Sequence, residues 1–501
     1  MAVRTFDGYT TPKTGVIWGL TVPQLLFLST ATFPTWIAIS AQRWLAAVLW
    51  VPVWLLLLFL TVVPLGGRPA VGWLAAATGF AWAGIRGWLR FNSRAAKGTL
   101  RDLDVLDMPG ALAGVEIIDG PPTGLLQRRV AAIKNSATRT WAITARIEHD
   151  GITMATDQTC NRYADGLTEL LDAAARGELI QELHLMVRTT PDDCTEREMW
   201  LRANITPDAP VTSVATQIEQ LRWSQAGVRT ESFITLVVPD ARLGKEARHM
   251  GGASDGRMNT LMSLAAEIGA VVAGPMGARE VTWLTSPELA QVVRLGFAPG
   301  DRPALVQAAA EAQTSAGTVA SVPWALAGPS QAHTAVRHYA HDAWHSVTAT
   351  VKLPERGAAM GGMGHVLAPS EAVERRTVAI VFPIEKQSTA DRKAAQQEFG
   401  QSLGQGLKDR LGVRTGAKDQ RQQAKLDRVE VQLAMGATMS HPYAVCCTTV
   451  PASAPIGEFG RRLEASIRRG GMAPQRLDMS QDLAFVSATI PLGISLSNGR
   501  R

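Results

Sequence analysis

The chain opens with long apolar runs and continues with short ones. Two runs without a charged residue lie between Lys13 and Arg43 and between Arg43 and Arg68, and they are 29 and 24 residues long. Each exceeds the roughly 20 apolar residues that a membrane-spanning helix needs. The pattern predicts helices over residues 24–41 and 44–63, joined by a turn around Arg43. We therefore expect a transmembrane hairpin at the start of the chain.

The basic residues near this hairpin predict its orientation. Lys and Arg residues precede and follow the two apolar runs, whereas only Arg43 lies at the turn between them. Under the positive-inside rule, this distribution places both termini in the cytoplasm. We therefore expect a multi-pass protein of the cell membrane, with the hairpin in residues 1–68.

A third apolar run covers residues 69–85 and is rich in Ala and Gly. Its 17 uncharged residues are few for a span, and its tryptophans suit the headgroup level of a bilayer. We expect an interfacial helix and a basic linker over residues 69–104, with a third span as the alternative. The residues predicted to set the topology or to lie at the interface are Lys13, Arg43, Arg68, Trp73, Trp82, Arg86, Trp88 and Arg90.

Beyond residue 104 the apolar runs are short and alternate between strand-like and helical spacing. Strands are predicted at residues 115–118, 141–146, 152–156, 183–188, 232–239, 346–353, 377–383, 443–450 and 483–490. Helices are predicted at residues 157–176, 210–224, 258–269, 390–433 and 455–469, and a loop-rich join at 301–339. This alternation favours a membrane-anchored α+β fold with two cytosolic ferredoxin-like units, at residues 105–300 and 340–501.

The positive charge of the chain is concentrated in the predicted membrane segment. The formal net charge is +6, but the first 100 residues carry eight Lys or Arg and one Asp, and the other 401 carry 42 basic and 43 acidic residues. We therefore expect no direct binding of nucleic acid by the larger part. The four cysteines form no CxxC pair, which excludes a disulfide scaffold.

The sequence has few patterns that are typical of catalysis. It contains no GxxxxGK[ST], HExxH or GxSxG motif. Helical spacing within the cluster His333–His345 would place His338, His341 and His345 on one face, as a zinc site requires. His345 instead leads into a strand pattern, so we predict no metal site. We expect a non-enzymatic protein without a cofactor.

Two adjacent pairs of residues also receive structural interpretations. Cys446 and Cys447 lie in a predicted strand, where neighbouring side chains point to opposite faces and the thiols cannot chelate together. Asp192 and Asp193 follow Pro191 at the end of another predicted strand. We interpret them as a turn or a helix cap.

Three stretches of the chain resemble proteins of conjugative type IV secretion. The N-terminal hairpin, with Gly67-Arg68-Pro69 and the aromatic segment from Trp73, resembles the small PrgI-type inner-membrane subunit. Residues 183–188 with Thr189-Thr190-Pro191-Asp192-Asp193 resemble a signature of actinobacterial conjugation membrane proteins. The tail resembles the end of the N-terminal domain of the large VirB-family secretion ATPase, through Arg428-Val429-Glu430, Leu433, Gly436, Met479-Ser480-Gln481 and Ile490-Pro491-Leu492-Gly493.

The resemblance implies an anchor and a docking platform without the motor. In the VirB-family ATPase a P-loop motor domain comes next, whereas this chain stops eight residues after Gly493. The implied function is a non-enzymatic inner-membrane subunit of a type IV-like conjugation or secretion machine, which docks a separate motor ATPase through residues 390–433. Other inner-membrane secretion subunits, membrane lipid and a second copy of the chain are further expected partners. A type VII secretion membrane subunit of EccE type is the alternative.

Overall fold

The computed structural model describes residues 5–6, 22–62, 64–65, 68–153, 155–224, 227–314, 320–353, 358–384 and 440–497. The chain divides into two compact units. The smaller unit combines residues 10–86 with 385–439, and the larger unit combines residues 1–9, 87–384 and 440–501. The helical region 390–433, predicted as the docking surface, lies outside the described residues.

The smaller unit contains a helical hairpin near the start of the chain. Its helices are α1 Val22–Ser40, α2 Trp44–Val62 and α3 Ala70–Ile85, and its strands are β2 Pro64–Leu65 and β3 Arg68–Pro69. The α1–α2 turn is closed by the backbone N–H of Arg43, which donates to the carbonyl of Ala38 at 2.8 Å. The indole N–H of Trp50 donates to the carbonyl of Ala31 at 3.0 Å and joins the two helices.

The structure corrects the membrane prediction. Within the described residues, no helix combines the length and the apolarity that crossing a membrane requires. The helices α1 and α2 have 19 residues each. The helix α3 is shorter still, with 16 residues. On this finding the predicted transmembrane hairpin, the third span, the membrane-anchored fold class and the multi-pass membrane localisation are wrong.

The larger unit contains most of the regular structure. Its helices are α4 Asp157–Arg176, α5 Thr195–Asn204, α6 Val211–Ser224, α7 Asp240–Ala247, α8 Ala253–Ala273, α9 Ser286–Phe297, α10 Arg302–Thr314, α11 Trp324–Ala327, α12 Gly364–Leu367, α13 Ile456–Arg469 and α14 Gln481–Thr489. Its strands are β1 Thr5–Phe6, β4 Arg90–Asn92, β5 Val115–Thr123, β6 Arg128–Asn135, β7 Thr140–Glu148, β8 Glu182–Pro191, β9 Val228–Pro239, β10 Glu280–Trp283, β11 Gln331–Thr334, β12 Tyr339–His341, β13 Trp344–Lys352, β14 Ala358–Ala359, β15 Arg375–Pro383, β16 Tyr443–Pro451 and β17 Ala473–Arg476.

One antiparallel sheet of 13 strands runs through this unit. Its order is β4-β11-β12-β13-β16-β15-β8-β9-β7-β6-β5, with β10 paired to β7 and β17 paired to β13. The segments β7-α4-β8-β9-α8-β10 and β13-α12-β15-β16-α13-β17 each have the strand order of a ferredoxin-like motif. Their second strands, β8 and β15, pair antiparallel from Glu182↔Pro383 to Thr189↔Arg376. The two motifs therefore share one sheet and are not separate layers.

Both faces of the sheet are covered. Side chains alternate between the faces along each strand, so Leu236 of β9 faces the core beneath α4 and α8, and Phe233 faces a second core. That second core contains Val293 of α9 and Phe485 of α14. The hydroxyl of Thr144 in β7 donates to the carbonyl of Pro491 at 2.7 Å. The residues after α14 therefore pack against the first motif.

Three predicted elements are wrong. Residues 152–153 and 155–156 form no strand in the part that the structure describes. The predicted loop-rich join at 301–339 contains α10, α11 and β11. Residues 483–490 were predicted as a strand and belong largely to α14, whose nine residues include seven buried ones. A short apolar run that is buried on all sides has no periodicity to separate a helix from a strand.

Candidate docking site

The chain leaves the sheet between β8 and β9 and forms a hairpin of two helices, α5 and α6. We call these helices the docking hairpin. Every one of the 14 residues of α6 is exposed or half-buried. Large apolar side chains face solvent on both helices: Trp200 is 62% exposed, Trp223 74% and Val211 84%. A concentration of exposed apolar side chains on one element is typical of an interaction surface.

The start of the docking hairpin is fixed by its own acidic residues. The carboxylate of Asp192 accepts the backbone N–H of Cys194 at 3.1 Å, and that of Asp193 accepts the N–H of Thr195 at 3.0 Å. These bonds satisfy amides at the start of α5 that have no partner within the helix. The interpretation of Asp192 and Asp193 as a turn or a helix cap is confirmed in its first form, because each carboxylate accepts the amide two residues further on.

An arginine from outside the hairpin holds its base. The guanidinium of Arg302, at the start of α10, contacts Asp193 at 2.5 Å and also contacts Glu196. Arg302 is 8% exposed, whereas the side chain of Glu196 is 50% exposed, so the ion pair with Asp193 is the better shielded of the two. Burial by itself raises the pKa of Asp193, but the hydrogen bond from Arg302 holds that pKa below its usual value. Arg229 of β9 adds a contact of 3.2 Å to Glu196.

The two helices of the hairpin are also joined to each other. The guanidinium of Arg197 on α5 donates to the hydroxyl of Ser224 at 2.5 Å and to the side-chain carbonyl of Gln220 at 3.2 Å. The thiol of Cys194 contacts the carbonyl of Leu221 at 3.8 Å. The apolar side chains on α5 and α6 are therefore held on one fixed scaffold.

Below the hairpin, Arg188 connects the sheet to α9 and α14. Its guanidinium contacts the carboxylate of Glu231 at 2.8 Å and donates to the carbonyls of Val292 at 3.1 Å and Thr489 at 3.4 Å. Burial by itself raises the pKa of Glu231, but the charges of Arg188 and Arg146 hold it below its usual value. The ion pair stays formed at neutral pH and fixes β8 and β9 at the root of the hairpin.

The histidine cluster does not form the helical face that a zinc site would require, and His345 lies in strand β13. The rings of His338 and His345 lie close together, with centroids 5.0 Å apart. His341 is 1% exposed and points to the other face of the sheet. The ring of His341 contacts the carbonyl of Phe297 at 2.7 Å and the hydroxyl of Ser346 at 2.8 Å. Among the described residues, no group of three His, Cys, Asp or Glu side chains is placed to hold a metal ion.

The residues predicted to contact a membrane lie outside the docking hairpin in the sequence. Lys13 is outside the described residues, Arg43 is exposed at the α1–α2 turn, Arg68 is in β3, Trp73 and Trp82 are in α3, Arg86 follows α3, Trp88 is 66% exposed, and Arg90 is in β4. The guanidinium carbon of Arg86 lies 4.8 Å from the ring centroid of Trp82.

The sequence contains one indication of the docking hairpin, which is its two tryptophans. Trp200 and Trp223 lie in a segment of mixed polarity between two strongly apolar strands. Tryptophan is seldom needed to build a small polar helix, and it is enriched in binding hot spots. Two tryptophans in such a segment therefore indicate a surface role.

No protein-family model and no curated protein matches this chain. The functional assignment therefore depends on the geometry of the docking hairpin, together with the resemblance of the sequence motifs.

Proposed function

We propose that this protein is a non-enzymatic docking subunit of a type IV-like conjugation or secretion machine, and that its docking hairpin binds a separate P-loop motor ATPase. The observation that carries the proposal is the exposure of Trp200 and Trp223 on a scaffold that the ion pairs of the buried Arg302 fix in place. Tryptophan dominates the energetics of many interfaces. A preorganised surface also loses little conformational entropy on binding.

The motif resemblance supports the choice of partner. Thr189-Thr190-Pro191-Asp192-Asp193, which resembles a conjugation-protein signature, forms the end of β8 and the start of the docking hairpin. The tail that resembles the platform domain of the secretion ATPase supplies β16, at the middle of the sheet between β13 and β15. These stretches build the hairpin and the sheet that supports it.

The size of the hairpin suits a specific interface. Its two helices have 10 and 14 residues, and a standard interface uses about 20–30 residues on each side. The exposed set also includes Ile205, Ile218 and Val228, which extend the apolar surface beyond the two tryptophans. These residues add to the surface that the two helices offer to a partner.

Affinity purification of the full chain, co-expressed with a candidate P-loop secretion ATPase, tests the proposal. We expect the ATPase to co-purify with the unaltered chain and to be lost from the double variant Trp200→Ser/Trp223→Ser. Leu126→Ser is the matched control, because Leu126 is 82% exposed in the β5–β6 turn, outside the hairpin. Equal recovery of the ATPase with the double variant and the control would contradict the proposal, as would capture of type VII subunits in place of the motor.

A further inference from the structure

One edge of the sheet is open beside the docking hairpin. Strand β7 pairs with β9 only as far as Ile147↔Ser232. Strand β9 continues to Val228 and there pairs with β8 alone, ending at Pro191↔Val228. Residues 228–231 therefore have a neighbouring strand on one side only.

The backbone groups on the open side can be assigned from the hydrogen-bond alternation of antiparallel strands. The N–H of Asp192 donates to the carbonyl of Gly227 at 3.0 Å, so the odd-numbered residues of β9 bond to β8. At the other end, the N–H of Asp240 donates to the carbonyl of Arg139 at 2.9 Å, so the even-numbered residues face β7. The amides and carbonyls of Val228 and Thr230 therefore point to the position that β7 has left.

A polar cleft of 390 Å³ lies against this edge. Its lining includes residues 229–232 of β9, Arg146 and Glu148 of β7, Arg279 before β10, and Arg302. Thr230 is exposed and Val228 is 49% exposed, so solvent reaches the open edge. The cleft therefore offers unused backbone groups and charged side chains at one place.

Four arginines and three glutamates line the cleft, and Arg279 also pairs with Asp150 beside it. Glu231 accepts Arg188 at 2.8 Å, and Glu196 accepts Arg302 and Arg229. The Nε atom of Arg146 is buried and has no hydrogen-bond partner among the described residues.

A buried guanidinium donor without a partner is costly, and a carboxylate satisfies it best. The guanidinium carbon of Arg146 lies 6.0 Å from the ring centroid of Phe233, on the face of the sheet that carries α9.

We propose that this cleft binds an extended peptide segment bearing carboxylates, which adds as a strand to residues 228–231 of β9 and places a carboxylate on Arg146. The open edge requires a peptide backbone as the ligand, and main-chain bonds of this kind supply affinity in strand addition. The unpartnered Nε atom of Arg146 favours an acidic side chain over a basic one. The proposal does not depend on the identity of the partner of the docking hairpin.

The test uses the full chain and two labelled, blocked eight-residue peptides, one alternating Thr and Glu and one alternating Thr and Lys. Fluorescence anisotropy is expected to show binding of the Thr–Glu peptide only. Arg146→Gln is expected to weaken this binding by about tenfold or more, because a charge-assisted bond is lost. Arg468→Gln is the matched control, since Arg468 is an exposed residue of α13 outside the cleft.

A second pair of variants tests the strand addition itself. Thr230→Pro removes the amide that faces the open side, and proline is tolerated on an edge strand. Thr230→Val keeps the amide. We expect binding to be lost in the first and kept in the second, and hydrogen exchange at residues 228 and 230 to slow when peptide is added. Absence of binding, equal binding of the Thr–Lys peptide, or binding unchanged by both Arg146→Gln and Thr230→Pro would overturn the proposal. Because Trp200→Ser/Trp223→Ser leaves this cleft intact, that variant is expected to bind the Thr–Glu peptide normally.

Discussion

The guanidinium of Arg375 donates to the backbone carbonyl of Leu295 at 2.6 Å, which brings a strand of the second ferredoxin-like motif to the end of a helix that follows the first. Arg375 also donates to the carbonyl of Gly296 at 2.6 Å. The ring of His341 contacts the backbone carbonyl of Phe297 at 2.7 Å. These three carbonyls are among the last four of α9, which lack partners within the helix. Arg375 of the second motif and His341 of β12 therefore complete the hydrogen bonding at the end of α9.

The first prediction concerns Arg375, which is 2% exposed. Burial, together with the nearby charge of Arg188, lowers the pKa of Arg375 to about 9, so the guanidinium stays charged at neutral pH. Arg375→Met leaves two buried carbonyls without a donor. We expect the free energy of unfolding to fall by about 3 kcal/mol in denaturant titration. The control Arg202→Ala removes an exposed ion pair and is expected to change it by about 0.5 kcal/mol or less. A similar, small loss in both variants would refute this account of α9.

The second prediction concerns pH. Complete burial lowers the pKa of His341 to about 3, whereas an unfolded histidine titrates near 6.5. Between these values the unfolded state binds more protons than the folded state, so stability falls as the pH falls. Below about pH 6 we expect His341 to lower the free energy of unfolding by up to about 1.4 kcal/mol for each pH unit. His341→Gln is expected to reduce the pH dependence of the unfolding free energy between pH 6 and 5. An unchanged slope would show that His341 does not cause the loss of stability at low pH.

The third prediction concerns the glycine that ends the tail motif. Gly493 has φ +74°, and a Cβ added there would lie 2.8 Å from the Cβ of Ala142. Gly493→Ala is therefore expected to lower the free energy of unfolding by about 3 kcal/mol, since strain and overpacking add. Gly124 has a similar φ of +67° with open space around it, so Gly124→Ala is expected to cost about 1 kcal/mol. Equal losses would show that the tail is not packed closely on β7.

The fourth prediction concerns the base of the docking hairpin. Arg302→Gln removes the charge that pairs with Asp193 and Glu196. We expect amide hydrogen exchange in α5 and α6 to accelerate, while exchange in α4 stays unchanged. Arg128→Gln is a suitable control, because Arg128 pairs with Glu288 at 2.7 Å, at the start of α9. Unchanged exchange in α5 and α6 would mean that Arg302 does not hold the hairpin.

Local patterns in the sequence predicted some elements well and others poorly. The helix predicted at 157–176 forms as α4, because Thr156 caps its start and Gly177 follows its end. The helix α14 was predicted as a strand, because its residues are buried on all sides and leave no polar face. The position of Arg375 under α9 was not predictable, since it depends on the pairing of β15 with β8, which are separated by 183 residues or more.

Only the local part of the candidate site could be predicted from the sequence. The turn formed by Asp192 and Asp193 is a local interaction, and local spacing predicted it. The partner of Asp193 is Arg302, which lies 109 residues away, and no local pattern connects the two. The exposure of Trp200 and Trp223 likewise depends on where α5 and α6 leave the sheet.

The central claim is that the docking hairpin binds the motor ATPase, and photo-crosslinking in the native cell tests it most directly. A photoreactive amino acid would replace Ile218, which is 46% exposed on α6, and separately Leu126, which is 82% exposed in the β5–β6 turn. The account predicts a crosslink to the P-loop ATPase from position 218 and none from position 126. A crosslink from position 126 alone, or from neither position while the complex still forms, would contradict it.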